Sequence, residues 1–258
     1  MPTCLAIEGG TPIRQSMLPY GHQWIDNQDI DEVIKVLRSE WLTTGPAIQA
    51  FEEAFAQTVE AKYAVAVSSG TAALHAAVFA AGVGSSHEVI TSPMTFVATA
   101  NCVRHQGGTV VFADVKKQGL TLDPVKVEAC ITSKTKAIIT VDYSGQPSDL
   151  DELNDLASKT GLIVIEDASH SLGATYKGNQ VGALADLTTF SFHPVKHITT
   201  GEGGMVTTNN PDLAANLRRF RTHGIATEFR DRKGEWPWFY EMVELGFNYR
   251  LTDLQSAL

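Results

Sequence analysis

The sequence has few cysteines, no long apolar segment and no block of like charges. Its three cysteines, Cys4, Cys102 and Cys130, are scattered and odd in number. This predicts reduced thiols in a cytosolic protein, and neither a disulfide framework nor a zinc site. No run of about 18 apolar residues is present, so we expect no transmembrane helix. The first residues also lack the basic and apolar regions of a secretory signal.

Basic residues are outnumbered, with 20 Lys and Arg against 29 Asp and Glu, which gives a formal net charge of −9. This balance argues against nucleic acid or an anionic membrane as a partner. It does not argue against a small anionic ligand, because a local site can be positive on an acidic protein. With 258 residues, of which 43% are hydrophobic, the chain can bury the core of one large domain.

Short apolar runs alternate with longer helical patterns along most of the chain. Several runs have almost no polar alternation, which is typical of strands buried on both faces. Strands are predicted at Tyr63–Val67, Glu88–Thr91, Thr109–Ala113, Ala137–Val141, Leu162–Glu166, Leu187–Phe192 and Gly204–Thr208. Helices are predicted at Asn27–Glu40, Ala47–Thr58, Thr71–Gly82, Thr95–Gly107, Asp123–Thr132, Asp149–Thr160 and Pro211–Thr222. This order predicts a three-layer α/β/α domain with a mainly parallel, seven-stranded sheet.

The two ends of the sequence are less regular than its middle. Residues 1–26 show no clear period, and we interpret them as an N-terminal arm ahead of a large domain over residues 27–250. Residues 251–258 read as the start of a helix, with Thr252 or Asp253 as its N-cap. If the domain ended there, the apolar face of this helix would be only partly buried. We therefore expect a truncated helix that leads to an absent C-terminal domain.

The carboxyl ends of the predicted strands are where a ligand of an open parallel sheet is expected. The strand Tyr63–Val67 is followed by Ser68–Leu74, in which Gly70 permits close backbone approach and Thr71 opens a helix. The free N–H groups and the dipole of a helix N-terminus suit a phosphate. An ordinary N-cap on a packing helix is the competing interpretation. The segment is not a P-loop, because no Gly-Lys-Ser/Thr follows.

Two further strand ends carry charged residues. Asp167 follows Leu162–Glu166, where a buried carboxylate needs a cation such as a protonated pyridine nitrogen; a helix cap is the alternative. Lys196 follows the strand that contains Ser191, and burial would lower its pKa and let its amine form a Schiff base. Lysine at such a place is otherwise usually a surface residue. A phosphate cradle, a carboxylate and an amine together are the three groups that pyridoxal 5'-phosphate needs.

Six segments, spread in order over most of the chain, carry a family resemblance. They are Trp41–Pro46, Ser69–Thr71, Pro93–Phe96, Glu166–His170, Ser191–Lys196 and Gly246–Arg250. The chain resembles the DegT/DnrJ/EryC1/StrS family of sugar aminotransferases, which implies the large domain of the PLP-dependent transferase fold type I. The run Val141–Gly145 resembles the branch of the family that acts in pseudaminic acid synthesis, since many relatives have histidine where Asp142 stands.

The resemblance implies a role for individual residues. Lys196 would hold the cofactor covalently and move a proton, and Asp167 would keep the pyridine nitrogen protonated. The remaining cofactor contacts would be Gly70, Thr71 and Ser191 at the phosphate, Phe96 stacked on the ring, and Asn248 at the phosphate of a neighbouring subunit in a homodimer. Tyr20, Thr43 and Arg250 would contact the substrate. For Phe96 a plain core aromatic, and for His193 a hydrogen-bonded turn histidine, are the alternatives; His170 would lie near the cofactor without an assigned role.

The implied reaction moves an amino group from L-glutamate to C4 of a nucleotide-linked 4-keto-6-deoxy sugar. No metal site is expected, since the other histidines have no metal-like spacing. Relatives that act as dehydratases replace the Schiff-base lysine by histidine, and Lys196 stands against that activity. A non-catalytic sugar-binding protein and a catalytically incomplete fragment are the remaining alternatives.

Overall fold

The computed structural model describes residues 4–227 and 238–258. The sequence also predicts a polar, aromatic loop at Trp236–Trp238, of which only Trp238 lies within the described residues. The strands are β1 (Tyr63–Val67), β2 (Glu88–Thr91), β3 (Thr109–Phe112), β4 (Thr135–Val141), β5 (Ile163–Asp167), β6 (Thr175–Tyr176), β7 (Asn179–Gln180), β8 (Leu187–Ser191) and β9 (Gly204–Thr208).

The helices alternate with these strands, as the sequence predicts. They are α1 (Asn27–Leu37), α2 (Pro46–Thr58), α3 (Gly70–Ala80), α4 (Ala98–His105), α5 (Pro124–Cys130), α6 (Leu150–Thr160), α7 (Pro211–Arg221) and α8 (Asp253–Ala257). Between residue 4 and α1, the only regular element is a short 3-10 turn at Ala6–Glu8. No helix of the described residues is long and apolar enough to cross a bilayer.

Seven of the strands form one sheet in the order β1-β9-β8-β5-β4-β2-β3. The pairs β2–β3, β2–β4, β4–β5 and β5–β8 are parallel, whereas β9 is antiparallel to both β1 and β8. The prediction of a mainly parallel, seven-stranded sheet is confirmed. Because β9 runs against both of its neighbours, the carboxyl ends of β1 and β8 lie at the same edge as those of β4 and β5.

Helices cover both faces of this sheet. On one face, α3 and α4 share a hydrophobic core with every second residue of the strands, for example Ile139 of β4 and Ile165 of β5. On the opposite face Ile138 and Val164 pack against α5 and α6. Successive side chains of a strand point to opposite faces, so neighbouring residues at the end of one strand face different environments.

The bounds of several elements differ from the predicted ones, and one hairpin is absent from the prediction. Helix α4 begins at Ala98 rather than at Thr95, and no side chain caps it; the hydroxyl of Thr95 lies within hydrogen-bond distance of the hydroxyl of Thr99 (2.7 Å). Helix α1 ends at Leu37 instead of Glu40. The hairpin of β6 and β7 was not predicted, since two-residue strands carry almost no periodic signal.

Helix α8 begins as the sequence predicts, with Thr252 as its N-cap and a capping box to Gln255. Its first residue, Asp253, is buried and accepts hydrogen bonds from the backbone N–H groups of Gly45 (2.8 Å) and Ala47 (2.9 Å). These are the free N–H groups at the start of α2, which an anion stabilises. Asp253 therefore ties residues 251–258 to the start of α2.

Candidate active site

A cavity of about 530 Å³ opens at the carboxyl edge of the sheet. Residues at the ends of β1, β2, β4, β5 and β8 line it, which is the usual ligand position in an open α/β sheet. Its volume falls in the range of small-molecule and cofactor sites. The structure brings six of the predicted site residues to this cavity: Gly70, Thr71, Phe96, Asp167, Ser191 and Lys196.

The junction between β1 and α3 forms the first wall. Helix α3 begins at Gly70, one residue earlier than predicted, and the hydroxyl of Ser69 caps it by accepting from the N–H of Ala72 (3.0 Å). Gly70 and Thr71 are the first two residues of α3, so their N–H groups have no intrahelical acceptor. A Cβ atom on Gly70 would lie 2.7 Å from the Cβ of Ser191, so only glycine allows α3 and the end of β8 to approach this closely. The two backbone N–H groups and the Ser191 hydroxyl together suit a phosphate.

Asp167 is the last residue of β5 and is 5% exposed. Its carboxylate accepts hydrogen bonds from the hydroxyl of Thr99 (3.1 Å) and from the hydroxyl (2.6 Å) and N–H (3.2 Å) of Ser169. None of the described residues provides it with an ion-pair partner. A buried carboxylate held by neutral donors and open to a cavity favours a cationic ligand group there.

Lys196 lies in the turn after β8, where its N–H donates to the carbonyl of His193 (2.8 Å). Its side chain is half-buried, and within residues 4–227 and 238–258 its amine has no hydrogen-bond or ion-pair partner. Burial lowers the pKa of Lys196, and the charge of Asp167 opposes this shift by raising it. A lysine amine with a lowered pKa is uncharged more often at neutral pH and is therefore a better nucleophile.

Phe96, His170 and His193 also border the cavity. Phe96 precedes α4 and is 74% exposed, so the alternative of a plain core aromatic is wrong. Burial and the positive charge of Lys196 lower the pKa of His170, while Asp167 raises it. His170 is therefore expected to be mostly neutral at pH 7. The turn histidine His193 is exposed, and its N–H lies 3.5 Å from the Ser191 hydroxyl.

The other predicted site residues do not line this cavity. Asn248 is exposed and forms an isolated β-bridge with Thr222. Tyr20 is 99% exposed in the N-terminal segment. Thr43 is exposed and forms an isolated β-bridge with Thr252, and Arg250 is partly buried. The roles assigned to Asn248, Tyr20, Thr43 and Arg250 remain predictions.

Two residues of the site were not predicted as such. Thr99 and Ser169 provide the hydrogen bonds that orient Asp167. Ser169 stands two residues after Asp167, and at this spacing a serine can donate hydrogen bonds to a preceding carboxylate. Thr99 comes from a different strand–helix junction, 68 residues before Asp167, so only the sheet order places it under the carboxylate.

The family model of the DegT/DnrJ/EryC1/StrS aminotransferases matches residues 23–258. The chain belongs to this family. It is 43% identical over 245 residues to the UDP-4-amino-4,6-dideoxy-N-acetyl-beta-L-altrosamine transaminase of Campylobacter jejuni, which covers 94% of this chain and 63% of the relative. The chain spans 63 to 64% of the length of the first curated relatives that it matches.

Solved structures of the family share the fold. The Helicobacter pylori PseC, an aminotransferase involved in the biosynthesis of pseudoaminic acid, superposes with a TM-score of 0.85 at 36% identity over 93% of this chain and 63% of that one. The sugar aminotransferase Spr1654 of Streptococcus pneumoniae, in its PLP-form, does so with a TM-score of 0.85 at 31% identity over 93% and 64%. These matches show that the described sheet and its helices have the fold of family members.

Proposed function

We propose that the chain is the cofactor-binding part of an aminotransferase that uses pyridoxal 5'-phosphate. The observation that carries this proposal is the set of three complementary groups in one cavity. Gly70, Thr71 and Ser191 would receive the phosphate. Among the residues that the structure describes, Asp167 has no ion-pair partner and the amine of Lys196 has no acceptor. The PLP-form of a structural relative supports the same cofactor.

Each residue would have a distinct task. Asp167 would hold a proton on the pyridine nitrogen through a charge-assisted hydrogen bond, with Thr99 and Ser169 fixing its orientation. When bound, the cofactor ring takes up the electron pair released at the substrate carbon. Lys196 would bind the cofactor covalently through its amine and then carry the proton to and from that carbon. Phe96, at the mouth of the cavity, would cover the ring and exclude water.

The substrate class is proposed from the relatives. We infer amino transfer from L-glutamate to a nucleotide-linked 4-keto-6-deoxy sugar, such as a UDP-4-keto-6-deoxy-N-acetylhexosamine. The Campylobacter jejuni transaminase and the Helicobacter pylori enzyme support a role in pseudaminic acid or surface polysaccharide synthesis. Lys196, in place of histidine, favours amino transfer over the dehydratase reaction. The free thiols of Cys4, Cys102 and Cys130 support a cytoplasmic location.

A shared active site is part of the proposal. Asn248 is exposed and lies outside the cavity of its own chain. In a C2 homodimer it would reach the phosphate bound near Gly70 of the partner subunit, and the exchange would be mutual. Tyr20, Thr43 and Arg250 would contact the sugar nucleotide.

Covalent trapping tests the proposed function. The full-length protein is incubated with pyridoxal 5'-phosphate, reduced with borohydride, digested and mapped by mass spectrometry. We expect the phosphopyridoxyl group on Lys196, because its amine alone lines the cavity among the lysines of the described residues. Lys196→Arg keeps the charge and should abolish the label. A label on another lysine, or none in protein that has bound the cofactor, contradicts the proposal.

A further inference from the structure

A second pair of carboxyl groups, Glu166 and Asp142, lies next to Asp167, and of the two only Asp142 also borders the cavity. Glu166 precedes Asp167 on β5, so its side chain points to the face that Val164 shares with α5 and α6. Asp142 follows the last residue of the neighbouring strand β4, and its N–H donates to the carbonyl of Asp167 (3.1 Å). Both Glu166 and Asp142 are 0% exposed.

The two carboxyl groups differ in their hydrogen bonds. The carboxylate of Asp142 accepts three hydrogen bonds. One oxygen accepts from the N–H (3.0 Å) and hydroxyl (3.1 Å) of Ser148, and the other accepts from the hydroxyl of Ser171 (2.6 Å). Glu166 accepts one hydrogen bond through Oε2, from the hydroxyl of Thr188 (3.0 Å). Its Oε1 is buried and has no partner among the described residues. A carboxylate oxygen buried in this way is strongly unfavourable.

Burial, followed by the negative charge of Asp142, raises the pKa of Glu166 well above its ordinary value. Burial also raises the pKa of Asp142 to about 6, against the hydrogen bonds of Ser171 and Ser148, which lower it. The only other ionisable group that acts on Glu166 from the described residues is Asp167, which also raises its pKa. From strand β8, the Thr188 hydroxyl is the group that contacts the Glu166 carboxyl. The charged residues of α6, which packs on the same face, are exposed to solvent.

We propose that Glu166 and Asp142 form a carboxyl pair that retains one proton at neutral pH, with Glu166 as the donor and Asp142 as the acceptor. The proton gives Oε1 of Glu166 the hydrogen bond that it lacks as a carboxylate. When two neighbouring carboxyl groups are both fully buried, ionising both has a large cost in free energy, as in other carboxyl dyads. Glu166 carries the proton because it has the fewer donors.

This pair is a positioning element for Asp167. Its functional consequence rests on the proposed function. A neutral Glu166 leaves Asp167 as the only negative charge on β5, and the Asp142 N–H fixes the backbone carbonyl of Asp167. An ionised Glu166 would add a third negative charge beside those of Asp142 and Asp167, and the repulsion between like charges makes that arrangement unfavourable.

Infrared spectroscopy of the full-length, cofactor-free protein tests the pair directly. At about pH 8, exposed carboxyl groups are ionised. We expect a carbonyl stretching band of one protonated carboxylic acid that shifts in heavy water. Glu166→Gln should remove this band. Asp142→Asn should keep the band and move it, because burial alone favours the neutral acid and only the acceptor has changed. Glu128→Gln, at an exposed position on α5, should leave it unaltered.

The pH dependence of unfolding gives a second measurement. A protonated Glu166 contributes stability that is complete below the ordinary pKa of glutamate, about 4.3, and is lost as the pH rises towards its folded pKa. From about pH 6.5 to about pH 8, the unfolding constant of the wild type should rise relative to that of Glu166→Gln, by up to tenfold per pH unit. Glu128→Gln should follow the wild type.

The outcomes separate this inference from the proposed function. If the wild type shows no protonated carboxyl band at about pH 8, the pair does not hold a proton, even where Glu166→Gln fails to fold. If Asp142→Asn and not Glu166→Gln removes the band, the proton is on the other residue and the assignment is wrong. Neither result depends on the cofactor, so a protein that shows the band but leaves Lys196 unlabelled contradicts the proposed function alone.

Discussion

Replacing Asp167 by asparagine separates the charge of this residue from its shape. The amide has the size of the carboxylate and can keep most of its hydrogen bonds: its oxygen can accept from Ser169, and its nitrogen can donate to the hydroxyl of Thr99. Thr99 can then donate to Thr95, whose hydroxyl lies 2.7 Å away. The free energy of unfolding should therefore change by only about 1 kcal/mol, the contribution of one hydrogen bond.

The substitution should reduce turnover much more than it reduces the free energy of unfolding. Asparagine cannot hold a proton on the pyridine nitrogen through a charge-assisted bond, so stabilisation is lost where negative charge develops on the ring. We expect turnover to fall by roughly 10², which corresponds to about 2.7 kcal/mol, while cofactor still binds. The assay follows a single half-reaction with L-glutamate through the absorbance of the bound cofactor. Asp186→Asn is a matched control at the opposite end of β5, where Asp186 accepts from the N–H of Val164 (2.8 Å).

The same substitution has a predicted effect on Lys196. The charge of Asp167 raises the pKa of this lysine and opposes the lowering by burial, so its loss should move the pKa further down. In cofactor-free protein, the acylation of Lys196 by acetic anhydride should then reach its half-maximal rate at a lower pH. Near-normal turnover with bound cofactor would refute the reasoning and leave Asp167 as a hydrogen-bond acceptor for the turn. A midpoint that stays or rises would refute the electrostatic part.

Two further predictions concern the phosphate site. In the full-length protein, Lys196→Ala and Asn248→Ala should each be poorly active alone. An equimolar mixture that exchanges subunits should recover about a quarter of wild-type activity, since random pairing restores one site in half of the dimers; exchange without recovery means that Asn248 does not serve the partner. Gly70→Ala should lower the free energy of unfolding by about 1–3 kcal/mol, because the new Cβ would lie 2.7 Å from the Cβ of Ser191. The shift that relieves this contact should also weaken cofactor binding, measured by titration; unchanged affinity would show that this approach does not shape the site.

The strand ends were predictable because buried parallel strands have a simple composition. The bounds of β1, β2 and β9 agree with the prediction from sequence, β8 ends one residue earlier, and β5 begins and ends one residue later. This places Asp167 and Ser191 at the correct edge, since each closes its strand. What the pattern does not contain is the distance between elements that are far apart in sequence. The contact of Thr99 with Asp167 depends on α4 packing beside β5, and the sheet order β5-β4-β2 that allows it cannot be read from periodicity.

The adjacent acids Glu166 and Asp167 show how position in a strand decides the chemistry of a residue. As letters in the sequence they are nearly equivalent, and both are buried in the structure. Asp167 faces a cavity and is served by three donor groups from Thr99 and Ser169, so its negative charge is stabilised and can act on a ligand. Glu166 faces the opposite side, with one donor and a neighbouring carboxylate, so its neutral form is favoured. Because successive side chains of a strand point to opposite faces, a charged carboxylate and a protonated one can be adjacent in sequence. The effect of substituting either residue therefore depends on the face of the sheet that it occupies.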